Sequence, residues 1–232
     1  MKSIFRPLKI DQAQAIHTIL SLGSNRIAFM LVCLLISACA SNRFSKLKEE
    51  KAVTINSDLL LPLFKNSTPS PLYKAEISLY GKKFGGLLLV KNMPDSSYRI
   101  VFTTETGIKL MDIELKKSGY QLIYCIEKLN RPAVVSTIAS DIQLLLTEYK
   151  QTQSALLADQ NGNRLLQLNQ ADTIIQYLLE PQSNLPKKIE QGFGKKKKVV
   201  LDLQNYVHEI PSGIRIQHKN IRLKIILTLV QR

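Results

Sequence analysis

The chain has no tryptophan, only three cysteines and three histidines in 232 residues, and an aromatic content of just 6%. Each shortage removes a class of protein. Cys33, Cys39 and Cys125 are too few for a disulfide-stapled scaffold, and no two of them make a C-x-x-C pair. His17, His208 and His218 form no H-E-x-x-H motif, so neither a metal nor a cofactor is expected. No serine sits in a G-x-S-x-G elbow, and Gly192-Phe-Gly-Lys-Lys196 lacks the Walker spacing and the Ser/Thr that would follow its lysine. Asp112 and Glu114 share a strand face but alternate with Met111, Ile113 and Leu115, the pattern of a solvated side. His208 and His218 read as surface or edge positions. The expectation is a protein that is not an enzyme.

Positive charge is plentiful. There are 32 Lys and Arg against 18 Asp and Glu, a net +14, within a 45% apolar composition that suits a globular domain. Nucleic acid is not the expected partner, because the tyrosines and phenylalanines alternate with apolar rather than basic residues.

Lys2, Arg6, Lys9 and Arg26 precede the uncharged run Ile27 to Ala38. Twelve helical residues reach about 18 Å, short of a hydrocarbon core of about 30 Å, so the run reads as the apolar part of a secretory signal and not as a membrane span. Ile36-Ser37-Ala38-Cys39 resembles the bacterial lipobox. The resemblance implies cleavage after Ala38, lipidation of Cys39 and stable attachment to a membrane by several acyl chains. Removal of residues 1–38 would leave 28 basic and 17 acidic residues, with Cys125 lacking a disulfide partner. Ala40 stands where, in the enterobacterial sorting rule, an Asp retains lipoproteins at the inner membrane. By that resemblance the outer membrane, facing the periplasm, is expected.

Residues 39–72 read as a lipidated tether with a short helix near Ser57 to Phe64, closed by Asn66, Ser67, Pro69, Ser70 and Pro71. Residues 73–232 read as one domain, expected to be a monomer. Its pattern is period two: Ala75, Ile77, Leu79; Tyr98, Ile100, Phe102; Tyr120, Leu122, Tyr124, Ile126. Turns are predicted at Gly81-Lys82-Lys83, Met93 to Ser97, Thr104 to Gly107, Lys117 to Gly119 and Asn161-Gly162. After Pro132, Val135, Ile138, Ile142, Leu145, Leu146 and Tyr149 recur every three or four residues and predict one helix of about 16 residues. Strands then resume over 164–167, 173–179, 185–191, 197–206, 214–217 and 222–230, the last with Leu223, Ile225, Leu227 and Leu229 on one face. Ten or eleven strands with one inserted helix predict a mainly β fold: a strongly curved antiparallel sheet, an unclosed barrel, with a helical lid over a hydrophobic concave face. A small closed barrel is the alternative if the sheet's ends pair.

Tyr98-Arg-Ile-Val-Phe-Thr-Thr-Glu-Thr-Gly107, the helix from Pro132, and Pro211-Ser-Gly-Ile-Arg-Ile216 with Arg222-Leu-Lys-Ile-Ile-Leu227 resemble the LolB-like branch of the lipoprotein-localisation family over roughly residues 73–231. That resemblance implies an unclosed barrel that receives lipoprotein acyl chains from a periplasmic carrier protein. It also implies a loop whose exposed leucine, just before the glycine, helps deliver cargo into the membrane; Thr106 and Gly107 occupy those positions here. Ile77, Leu79, Tyr98, Ile100, Phe102, Tyr120, Leu122, Tyr124, Leu223 and Ile225 are the candidates for lining an acyl-chain cavity, and equally could simply fill a core. The basic run Lys195, Lys196, Lys197 and Lys198 is either a solvated turn or a contact with lipid or an acidic partner. The other reading is an accessory lipoprotein that docks an envelope assembly through its edge strands and basic loop.

Overall fold

The computed structural model describes residues 48–51, 63–64, 67–146, 153–158, 163–170, 172–181, 183–193 and 196–230. They belong to one compact unit, Leu47–Arg232. Their strands are β1 Lys48–Lys51, β2 Leu72–Leu79, β3 Lys82–Asn92, β4 Tyr98–Thr103, β5 Lys109–Lys116, β6 Gly119–Cys125, β7 Gln153–Ala158, β8 Arg164–Gln170, β9 Thr173–Leu179, β10 Pro186–Phe193, β11 Lys196–Val207, β12 Ile210–His218 and β13 Leu223–Leu229. The helix α1 spans Pro132–Leu146 and sits between β6 and β7.

All the strands join one antiparallel sheet in the order β1, β7, β8, β9, β10, β11, β12, β13, β2, β3, β4, β5, β6. Two meanders are fused where β13 pairs with β2, from Leu223 opposite Leu79 to Leu229 opposite Tyr73. β1 and β6 are the two edges and do not pair, so the sheet is open rather than a closed barrel.

One face is predominantly apolar. Ile77 pairs with Ile225, Ile100 with Ile113, and Leu201 with Ile216, inward aliphatic residues alternating with outward ones that are mainly polar. α1 covers this face, starting at Pro132 in the position where a missing N–H costs nothing. Its buried stripe includes Val135, Ile138, Ile142 and Leu145. The helix packs on β5 and β6, and Tyr177 on β9 donates its hydroxyl to Leu144 O at 3.4 Å. β9 and β6 are nine places apart in the sheet, about 43 Å if it were flat, whereas a helix of this length reaches about 22 Å. The sheet therefore curls around α1.

Two glycines set the local geometry of β2 to β4. Tyr80 and Gly81 both have positive φ, 48° and 84°, and make a two-residue turn that joins Leu79 directly to Lys82. Lys82 and Lys83, expected in that turn, consequently already belong to β3. At Gly86 an added Cβ would fall on the Thr103 carbonyl, so only glycine lets β4 approach there.

Three strands depart from the expected pattern. β1 lies in the stretch read as tether, and β7 and most of β3 had no assigned strand. The helix predicted near Ser57 to Phe64 lies outside the described residues except for Leu63 and Phe64, which form a turn. Asn161-Gly162 also lies outside them. α1 ends at Leu146, and the predicted continuation to Tyr149 falls outside the described residues.

Candidate functional site

The interface between α1 and the sheet brings together most of the residues expected to face a cavity. Ile77, Leu79, Tyr98, Ile100, Phe102, Leu223 and Ile225 are all buried in one continuous cluster with α1. In this arrangement they form a core beneath the helix.

Tyr120 and Tyr124 do not join them and are 43% and 45% exposed. Tyr120 stands opposite the buried Leu115 on the open edge strand, and Tyr124 is displaced by a register shift. Ile113 pairs with Leu122 but Asp112 pairs with Tyr124, so Ile123 is an extra residue in β6 and Tyr124 turns to the outer face. Leu122 and Cys125 are the residues that pack inward. Burial raises the pKa of the Cys125 thiol.

The polar centre of the interface was not foreseen. His218 Nε2 lies 2.8 Å from Asp141 Oδ2, and the two side chains are 1% and 2% exposed. Asp141 comes from the apolar stripe of α1 and His218 from the inner face of β12, so the pair ties helix to sheet. Burial pushes the Asp141 carboxyl above its ordinary range, opposed by the hydrogen bond to His218 and by the charges of His218 and Lys198. His218 Nδ1 is buried without a hydrogen-bond partner among the described residues. The surface position expected for His218 is thus incorrect. Period two from Ile214 and Ile216 already points His218 inward, and Asp141 falls three residues after Ile138 and four before Leu145.

Asp112 is also not on a solvated face, being only 1% exposed. Arg99 Nε bonds its Oδ1, while Arg99 Nη2 and Lys109 Nζ reach Oδ2 at 3.0 and 2.7 Å. The Arg99 hydrogen bond is the main cause that lowers the Asp112 pKa. A carboxylate engaged by two cations holds charge rather than shuttling protons. Because its folded pKa is depressed, its contribution is present above the unfolded value near 4 and is lost as pH falls through the folded one. Asp112→Asn is expected to be about 2 kcal/mol less stable at neutral pH, with a flatter stability curve below about pH 4. Urea denaturation across acid pH measures both, and parallel curves for the two proteins would contradict the assignment.

In the β4–β5 loop, Thr106 Oγ1 lies 2.8 Å from Thr104 Oγ1, Gly107 N donates to Thr104 O at 3.0 Å, and Ile108 N donates to Thr104 Oγ1 at 3.0 Å. Thr106 therefore braces the turn, and the exposed aliphatic side chain is Ile108, 64% exposed. In the basic run, Lys196 is exposed, Lys197 pairs with Glu190 at 2.8 Å and Lys198 is half-buried. Lys195, Ala38 and Cys39 lie outside the described residues. Among the described residues, no three His, Cys, Asp or Glu side chains gather as a metal site.

No family model and no curated protein matches the sequence. Among solved structures, the chain is similar to a domain described as a "putative outer membrane lipoprotein-sorting protein" from Vibrio parahaemolyticus. The TM-score is 0.43 at 12% identity, over 70% of this chain and 82% of that one. It is also similar to a DUF1329 family protein from Desulfovibrio piger, with a TM-score of 0.41 at 9% identity over 72% and 85% of the two chains.

Proposed function

We propose that this chain is an envelope lipoprotein, anchored through Cys39, that binds acyl chains of lipids or lipoproteins between the apolar sheet face and α1. The observation that carries the reading is the continuous apolar face of an open sheet covered by one helix, with a polar pair at the centre of the contact. An acyl chain needs no titrating partner, only an apolar surface, and each methylene desolvated contributes about 0.8 kcal/mol. Entry requires α1 to move off the face, because seven of the candidate lining residues, Ile77, Leu79, Tyr98, Ile100, Phe102, Leu223 and Ile225, are buried beneath it. In this reading the protein is a binder and not an enzyme. A periplasmic carrier hands over the cargo, and Ala40 favours the outer membrane as the site of anchoring. Ile108, rather than Thr106, supplies the exposed aliphatic contact for delivery.

The test is native mass spectrometry and displacement of a fluorescent fatty acid from the chain beginning at Ser41. Bound lipid is expected in the wild type. Leu122→Glu, at the half-buried edge strand, is expected to abolish binding while keeping the melting temperature within a few degrees. Absence of both lipid and probe binding in the wild type would sink the reading.

A specific observation favours the accessory role as second reading: β6 is an edge strand that exposes Tyr120, Ile123 and Tyr124. Such an edge can pair with a strand from another protein. Substituting serine at all three positions would abolish that docking and leave acyl-chain binding unchanged.

A further inference from the structure

The hairpins β10–β11, β12–β13 and β2–β3 open at the same end of the sheet. Their six strands are consecutive antiparallel neighbours, so every second connection emerges on one side. Phe193 stands opposite Lys196 at the first tip, residues 219–222 form the second, and Tyr80 with Gly81 the third. Tyr80 N donates to Arg222 O at 2.9 Å, which joins the second tip to the third. Successive tips are about 10 Å apart, two strand spacings.

Phe193 is 52% and Tyr80 55% exposed. Residues 80–83, 193, 196–198 and 219–222 contain seven basic residues and no acidic one. Lys83 is matched by Glu76 at 3.6 Å and Lys197 by Glu190. Lys82, Lys196, Lys219 and Arg222 are all exposed, and none of them is held in an ion pair among the described residues. Of the acids near this end, Asp172 lies in the neighbouring β8–β9 turn and Glu105 is paired with Lys74 at 3.2 Å.

We infer that this rim docks on an anionic lipid bilayer, with Phe193 and Tyr80 entering the interfacial layer and the unpaired cations meeting the headgroups. Two aromatic tips about 20 Å apart along the sheet's edge, separated by cations, are not the contiguous apolar centre that a protein partner buries. A bilayer surface accepts isolated aromatic tips, each flanked by Lys or Arg. The inference stands apart from acyl-chain binding, because Phe193, Tyr80, Lys82, Lys196, Lys219 and Arg222 are not among the residues buried with α1.

The absence of tryptophan supplies a clean reporter. Phe193→Trp in the chain from Ser41 onward, which retains the compact unit Leu47–Arg232, is mixed with phosphatidylcholine vesicles with or without phosphatidylglycerol. A blue-shifted emission and co-flotation are expected only with phosphatidylglycerol, and both weaken as salt is raised. Lys196→Ser with Arg222→Ser is expected to reduce partitioning about tenfold or more. Lys91→Ser with Lys117→Ser, exposed positions at the opposite end of the sheet that remove the same charge, is expected to change it little. Equal losses in the two pairs would mean net charge alone and overturn the rim. An unshifted emission would overturn insertion. Binding to an immobilised acidic protein in preference to the vesicles would replace lipid with protein as the partner.

Discussion

Asp141→Ala is expected to lower folding stability by about 3–5 kcal/mol, because it leaves His218 buried without its partner. In a domain of this size that is a fall of roughly 10 °C in melting temperature. Replacing both partners with leucine should recover most of the loss, since an apolar pair of similar volume has no desolvation cost to offset. Asp141→Asn separates charge from hydrogen bond. Burial raises the Asp141 pKa from its ordinary 3.8, so the folded state takes up a proton there more readily than the unfolded chain. The stability this contributes is complete below the unfolded pKa and declines as pH rises through the folded one. Asp141→Asn lacks that decline, so its stability relative to wild type should improve from about pH 4 upward. Urea denaturation at several pH values reads both effects. A cost under about 1 kcal/mol for Asp141→Ala would mean that water reaches the pair and that it ties nothing.

Much of the architecture was legible because a period-two pattern is a direct consequence of a sheet with one wet face. Ile77, Ile100, Phe102 and Ile225 were placed on the buried side by alternation alone, and α1 by spacings of three and four after Pro132. The misplaced residues have identifiable causes. Tyr124 follows the alternation of Tyr120 and Leu122, but Ile123 is a bulge, and a single extra residue reverses every side chain beyond it. Asp112 alternates as a solvated residue should, but it lies between Val101 and Tyr124 and is engaged by Arg99 and Lys109. β1 is a four-residue, charged edge strand, and nothing in Lys48-Glu-Glu-Lys51 announces its partner 105 or more residues later in the chain. The site itself was half legible: the apolar face was read correctly, while the Asp141–His218 tie needed two positions 77 residues apart to be seen as one pair.

The substitution that costs stability is also expected to tighten acyl-chain binding. If α1 must leave the apolar face before a chain can enter, the measured affinity is the intrinsic affinity reduced by the fraction of molecules with α1 undocked. Weakening the helix contact by about 3 kcal/mol raises that fraction by about two orders of magnitude, because each 1.4 kcal/mol is a factor of ten. Asp141→Ala should therefore lower the apparent Kd for a fluorescent fatty acid by up to about a hundredfold, until the undocked state predominates. The double-leucine variant also lacks the Asp141 carboxyl but keeps α1 docked, so it should bind as weakly as wild type. An affinity that falls together with stability across this series would place the acyl-chain site elsewhere. An inverse relation can arise only if the helix and the ligand compete for one face, and it would make the His218–Asp141 pair the element that sets how readily that face is exposed.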